Sequence, residues 1–259
     1  MEFEQIQNRR KSILSLLQLH SVLTVEEICD QLKITDSTAR RDIKWLESQN
    51  MIYRFHGGVS ALNNQYDVFD VRSKKASDAK KKIARAAAQL VVNSDVIFIG
   101  GGSTMFQFSK ALLARQDLKN VIVVTSTFNV AALFAENRKY EIIILGGNLN
   151  KTDESIASKM TIENSKTINY TKIFNGAMGV SADCGITQPT ADLAELERTL
   201  MARAGCNYLL VDHSKFGRVG AYTVYQISEV DLIITDKDAS VDMEIEKHAE
   251  YKDRILQVE

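Results

Sequence analysis

Arg40, Arg41 and Lys44 follow two short hydroxyl residues, Ser37 and Thr38, within the run TDSTARRDIKW. Arginine is the side chain best matched to the paired acceptors on a guanine edge, and it meets phosphate at least as often. Short hydroxyl side chains in a first helical turn leave the amides there open to phosphate or base edges. The spacing suits a helix that enters the major groove of DNA, with Thr35, Ser37, Thr38, Arg40, Arg41 and Lys44 as candidate contacts. The competing reading is a solvated charged face, which R-R-D-I-K on an amphipathic helix commonly is. Asp42 fits a structural part, orienting a neighbouring arginine, because a carboxylate in the groove would repel phosphate. Trp45 reads as packing.

A second group of residues suits a small anion. Gly100-Gly101-Gly102-Ser103-Thr104 follows the apolar run DVIFI and precedes a helical stretch. Glycines let a backbone approach closely, and helix-start amides with two hydroxyls suit a phosphate dianion. The alternative is a tight strand-to-helix turn that binds nothing. Two nucleotide motifs are excluded by spelling: a dinucleotide fingerprint needs a third glycine where Met105 stands, and a Walker loop needs Gly-Lys before its hydroxyl. Small polar residues recur at later strand ends, in Thr125-Ser126-Thr127, Gly146-Gly147-Asn148 and Gly176-Ala177. The last is Asp212-His213-Ser214-Lys215-Phe216, where Lys215 either neutralises a phosphate or is a surface lysine.

These groups require two different scaffolds. Through residues 1–62 the pattern is three short helices and a turn. Ile6, Ile13, Leu14, Leu16 and Leu17 share a face between Phe3 and Leu19, with Arg9, Arg10 and Lys11 opposite. Thr24 and Glu27 form a capping box that opens a second helix, which carries Val25, Ile28 and Leu32 inward, and Thr35 or Asp36 opens the third. MIYRFHGGVSAL then reads as a two-stranded wing, turning at Gly57-Gly58. The helix-turn-helix spans about 20–48. Residues 63–76 are polar and lysine-rich and read as a linker, running into a helix near Ser77.

From 77 to 259, short apolar runs (DVIFIG, VIVVTS, EIIILGG, KIFNGAMG, NYLLVD, DLIITD) alternate with amphipathic stretches long enough for crossover helices. Such runs suit strands buried on both faces, so the expected class is α/β, a doubly wound and mostly parallel sheet. Ligands of such sheets collect at the carboxyl ends of strands, where Gly101, Gly102, Ser103, Thr104, Thr125, Ser126, Gly146, Gly147, Asp212 and Lys215 stand as candidates.

Composition narrows the function. The 259 residues are 45% apolar and 25% charged, with a net charge of −1, so any DNA contact must be local and not a bulk polycation effect. Basic and acidic residues balance even within 1–62. The charged N-terminus is unlike a signal peptide and no run approaches the roughly 18 apolar residues of a membrane span, so the expected location is the cytoplasm. Cys29, Cys184 and Cys206 belong to no metal-binding or redox motif and read as reduced core thiols; no metal or cofactor is implied.

The stretch LTVEEICDQLKITDSTARRDIKWLESQNMIYRFHGGVSAL resembles the winged helix-turn-helix of the DeoR family, in Thr38, Arg40, Arg41, Asp42, Leu46, Glu47, Arg54, His56, Gly57 and Gly58. The resemblance implies that Arg54, His56 and Gly57 sit at the wing near DNA, His56 being equally open to a local turn role. Residues 74–237 resemble the DeoR sensor domain, in Gly102-Ser103-Thr104, Val124 to Thr127, Leu145-Gly146-Gly147, Gly179 to Thr187 and Asp212 to Phe216. It implies a ribose-phosphate-isomerase-like fold and a repressor of carbohydrate genes that a phosphorylated sugar releases from operator DNA. Gly100 stands where that family commonly has aspartate, and Ser126 where it has asparagine, which leaves the ligand's identity open. Two other functions fit parts of the chain: an isomerase using Asp212, Lys215 and Asp183 for acid-base work, and a ligand-free oligomeric scaffold. A homo-oligomer, at least a dimer, is expected because two half-sites then act together.

Overall fold

The computed structural model describes residues 2–20, 22–49, 51–55, 58–61, 76–150, 155–247 and 249–259. The chain divides into two units, Met1–Val68 and Phe69–Glu259. In the first, helices α1 (Glu2–His20), α2 (Val25–Leu32) and α3 (Asp36–Ser48) pack with strands β1 (Val22–Leu23), β2 (Ile52–Phe55) and β3 (Gly58–Ala61). Thr24 and Glu27 make the anticipated capping box on α2, and Lys33 ends that helix in the left-handed region at φ 54°. Thr35 is the N-cap residue of α3. Ile13 and Leu17 of α1, Ile28 of α2, and Ala39, Ile43 and Leu46 of α3 bury together against Leu23, Ile52 and Val59. Each large side chain so buried contributes roughly 1.5–3 kcal/mol. The wing has three strands, not two, in the order β1-β3-β2. Val22-Leu23 is too short to show alternation, and it pairs because Leu23 must reach the same core.

The second unit is built on α4 (Ser77–Ala88), β4 (Val96–Ile99), α5 (Ser103–Leu113), β5 (Ile122–Thr125), α6 (Phe128–Ala135), β6 (Glu141–Ile144), α7 (Lys159–Ser165), β7 (Tyr170–Asn175), β8 (Gly179–Ser181), β9 (Gly185–Gln188), α8 (Ala191–Met201), β10 (Ala204–Leu210), β11 (Tyr222–Tyr225), β12 (Leu232–Asp236), α9 (Ala239–Lys247) and β13 (Ile255–Val258). A seven-stranded sheet runs β13-β12-β10-β7-β4-β5-β6, parallel at every pairing. The doubly wound reading holds, and the alternation of side chains shows why. Ile97, Ile99, Val123 and Phe174 pack beneath α4, α5 and α6, while their neighbours Phe98, Val124 and Ile173 pack beneath α7 and α8. Strands covered on both faces need apolar residues at every position.

Strand order reverses at the centre. From β4 the chain proceeds outward through β5 to β6, and β7, on the other side of β4, begins the opposite half. The crevice between the loops that follow β4 and β7 is the switch point at which such sheets hold ligands. Three features were not anticipated: the edge strand β13, the helices α7 and α9, and a small antiparallel sheet β11-β9-β8. The small sheet packs Val180, Ile186 and Val224 onto Leu209 and Ile233 of the large one.

The cysteines form no disulfide and all three are half-buried; Cys29 packs against the core of the first unit, whereas Cys184 and Cys206 belong to no core cluster. Among the described residues, no helix is long and apolar enough to cross a membrane, and no cluster of side chains suits a metal ion. The linker expected at 63–76 lies outside the described residues apart from Ala76, the N-cap residue of α4.

Candidate nucleic-acid interface and ligand mouth

One face of α3 is buried through Ala39, Asp42, Ile43 and Leu46. The opposite face exposes Ser37, Arg40, Arg41 and Lys44, three and four residues apart. At its start the Thr35 side chain does not cap the helix. Instead its hydroxyl lies 2.9 Å from that of Thr38 and 3.2 Å from that of Ser37, a small hydroxyl cluster beside first-turn amides. Arg40 pairs along the helix with Asp36, one turn back.

Asp42 is 1% exposed. It accepts hydrogen bonds from the Nε atoms of Arg9 and Arg10, the latter at 2.9 Å. The Arg10 guanidinium also lies 3.8 Å from the centroid of the Trp45 ring. Asp42 and Trp45 thus take the structural parts read for them. Arg9 and Arg10, read as lying opposite the apolar face of α1, both turn to a buried carboxylate of α3. Arg54 stands on β2 opposite Val59. His56 and Gly57 lie outside the described residues.

In the second unit the candidate residues gather at the carboxyl ends of the strands. After β4, the Gly100 amide still donates to the Phe174 carbonyl at 2.9 Å. Gly102 then turns at φ 104°, a conformation that favours glycine, with open space where a Cβ would stand. It is the N-cap residue of α5 and no side chain caps the helix, so the first-turn amides and the Ser103 and Thr104 hydroxyls border the opening. Thr125 is more constrained than its spelling suggested. Its hydroxyl donates to the Ile99 carbonyl at 2.7 Å and accepts from the Thr127 amide at 3.2 Å, which ties β5 to β4. Ser126 is buried and its carbonyl receives the Ile156 amide at 2.7 Å. The Gly146 carbonyl accepts from Thr161 Oγ1 at 2.9 Å, so α7 braces the Gly146-Gly147 loop.

Asp212, at the end of β10, accepts from the Ser214 amide at 3.1 Å and lies 3.5 Å from Lys80 Nζ. Burial pushes its carboxyl up, but the Ser214 hydroxyl, Lys80 and Lys215 together hold it below the usual range. Lys80 escaped the sequence reading because it sat in a lysine-rich run. Its signal was helical spacing, since Lys80 heads the inward stripe of Ile83, Ala84 and Ala87 on α4. Lys215 is half-buried after Asp212, whereas Asp183 lies exposed between β8 and β9. Behind Gly176, Gln188 Nε2 donates to the Gly176 carbonyl at 2.9 Å and to Glu197 Oε1 at 2.7 Å. Burial, partly offset by the Gln188 bond, pushes the Glu197 carboxyl up to about 8. A shallow groove of about 320 Å³ between α4 and α5, lined by Lys81, Arg85, Gln107 and Lys110, lies away from these strand ends.

Comparison with known proteins is consistent across both units. The model of the DeoR-like helix-turn-helix domain matches residues 9–65, and that of the DeoR C terminal sensor domain matches residues 75–237. The HTH-type transcriptional repressor GlcR of Bacillus subtilis (strain 168) is 31% identical over 233 residues, covering 89% of this chain and 88% of that protein. The lactose phosphotransferase system repressor of Lactococcus lactis subsp. lactis is 30% identical, covering 90% and 91%. Ribose 5 phosphate isomerase A from Neisseria gonorrhoeae overlaps 52% of each chain at 18% identity, with a TM-score of 0.39. With one family model on the α3 helix and the other spanning the strand-end loops, the chain belongs to the DeoR family of transcriptional regulators.

Proposed function

We propose that this protein is a transcriptional repressor of carbohydrate-metabolism genes that a phosphorylated sugar releases from double-stranded operator DNA. The observation that carries the reading is the division of α3: Ala39, Ile43 and Leu46 are buried while Ser37, Arg40, Arg41 and Lys44 stand exposed on one face. The repressor names of its relatives support the same reading. Residues 1–62 read DNA through Thr35, Ser37, Thr38, Arg40, Arg41 and Lys44, with Arg54, His56 and Gly57 at the wing. Residues 63–76 link, and 77–259 sense the ligand. The ligand's phosphate meets the α5 start at Gly101 to Thr104, and Lys215 adds a positive charge. Ser126, Gly146 and Gly147 line the rim, and Thr125 and Asp212 hold its framework.

The protein is a regulator and not an enzyme. Asp212, the best placed acid-base group, is already engaged by Lys80 and Ser214. It acts in the cytoplasm, without metal or cofactor, as a homo-oligomer of at least two chains. Exposed Phe128, Ile144, Leu149 and Met160, on segments at or after the carboxyl ends of β5 and β6, support a self-association surface. Release requires the ligand to bind the DNA-free state more tightly than the bound state. The test is a mobility shift on the DNA upstream of the protein's own gene, with and without sugar phosphates. A shift that a sugar phosphate reverses is expected; no sequence-specific shift under either condition overturns the reading.

A further inference from the structure

Strand β7 ends at Asn175, a residue 1% exposed whose carboxamide nitrogen and oxygen both lack a hydrogen-bond partner among the described residues. The Thr127 hydroxyl, just after β5, is fully buried and equally unpartnered. These two side chains flank consecutive glycines at the exit of β4. A Cβ at Gly100 would stand 2.4 Å from Asn175 Oδ1, and one at Gly101 would stand 3.2 Å from Thr127 Oγ1. Gly100 is therefore the residue that makes room for the carboxamide. On the far side a Cβ at Gly176 would lie 3.7 Å from the Gly101 carbonyl oxygen, so the loops after β4 and β7 close on the same spot.

Buried polar atoms without partners are rare because desolvation is then uncompensated, and each one calls for an explanation. Neighbouring hydroxyls at this rim are satisfied: Thr125 bonds Ile99, and Thr161 bonds Gly146. Other buried polar atoms without partners among the described residues lie on Asn129, Glu197, Asn207 and Thr235, but Asn175 and Thr127 are the ones that flank Gly100 and Gly101 at the switch point, next to the uncapped helix start at Gly102. Both carboxamide atoms are orphaned, so the argument holds whichever way round the amide is turned.

We propose that Asn175 and Thr127 form a hydroxyl-reading floor in the ligand mouth, and that the ligand is a neutral polyol carried on a phosphate. The proposal rests on the sugar-phosphate reading above and specifies what recognises the sugar. Asn175 offers a donor and an acceptor, and Thr127 one group that serves as either. Adjacent hydroxyls of a polyol match that set in full. A carboxylate would face Asn175 Oδ1 with no proton to give, and an ammonium would face Nδ2 with no acceptor. With the phosphate at the Gly102 to Thr104 amides, the first carbons of the ligand fall over Gly101 and Gly100.

The experiment uses the full chain and isothermal titration with glucose 6-phosphate, ribose 5-phosphate, glycerol 3-phosphate and inorganic phosphate. At least one of the organic phosphates is expected to bind wild type more tightly than inorganic phosphate. Asn175→Leu and Thr127→Val should weaken that ligand tenfold or more and leave inorganic phosphate unchanged. Ligand-free Asn175→Leu should melt no lower than wild type, since it removes an unsatisfied buried amide, a result that a purely structural asparagine would not give. Gly100→Ala, which displaces the carboxamide from the other side, should repeat the loss if Asn175→Leu fails to fold. Organic-phosphate affinities within twofold of wild type in all variants would overturn the floor and leave the phosphate reading intact. Wild type binding inorganic phosphate as tightly as every organic phosphate would do the same. No binding of any of the four would overturn the ligand mouth itself, and the floor with it.

Discussion

Lys80 and Asp212 meet across the second unit as a buried pair, Nζ to Oδ2 at 3.5 Å, one from the first turn of α4 and the other from the end of β10. Removing one partner of such a pair strands the other charge in a poorly solvated site. Lys80→Met should therefore destabilise this unit by about 3 kcal/mol in urea unfolding. Adding Asp212→Asn to that variant should recover part of the loss. The pH dependence has a defined sign, because the folded Asp212 carboxyl is held below its ordinary value of 3.8. Its contribution is in place above that value and is lost as pH falls through the folded one. In Lys80→Met the acid transition should move to higher pH; an unmoved transition would mean that Lys80 does not hold the carboxylate.

Glu197 behaves oppositely. Its folded carboxyl is pushed up from 4.5 to about 8, so the folded state keeps a proton that the unfolded chain releases. Stability should fall as pH rises from 4.5 toward 8 and level off above. Glu197→Gln keeps the shape and removes the titration, so its melting temperature at pH 8 should exceed wild type by several degrees, with convergence near pH 4.5. Parallel melting curves across that range would contradict the assignment.

On α3, Arg40→Ala should cost operator binding about 1–3 kcal/mol if the guanidinium reads a base. Arg41→Ala and Lys44→Ala should each lower the salt slope by roughly 1, the mark of a phosphate contact. Fluorescence anisotropy on operator and scrambled duplexes across a salt series separates the two. Unchanged affinity and slope in all three would place the reading surface elsewhere.

Asp42 should matter to DNA binding without touching DNA. Asp42→Ala releases Arg9 and Arg10 from their shared acceptor, and should cost the first unit about 2 kcal/mol, the scale of hydrogen bonds to a charged group. Operator affinity should drop while ligand binding by the second unit stays unchanged. Full operator affinity in a folded Asp42→Ala would show that the clamp does not set the pose of α3.

What the sequence made readable was local. Thr24 with Glu27, Thr35 before α3, and three glycines after an apolar run each carry their signal within a few residues. The six apolar runs were found because strands buried in a parallel sheet need no pattern beyond apolarity, and even the edge strand β6 keeps an unbroken isoleucine run with Ile144 exposed. Other features depend on partners distant in the chain. Val22-Leu23 becomes a strand only because β3 returns beside it. Lys80 is buried only because Asp212 waits at the end of β10. Asn175 stood unremarked within the run KIFNGAMG, and its setting comes from Gly100, which the sheet order brings alongside.

The arginine clamp on Asp42 bears on any attempt to retarget this protein. A chimera that transplants only the 13 residues of α3 into another head would import an aspartate whose cationic partners stay behind on the donor's α1. The helix proposed to read DNA is therefore portable only as part of a two-helix cassette, with Arg9 and Arg10 of α1 travelling alongside Asp42 of α3.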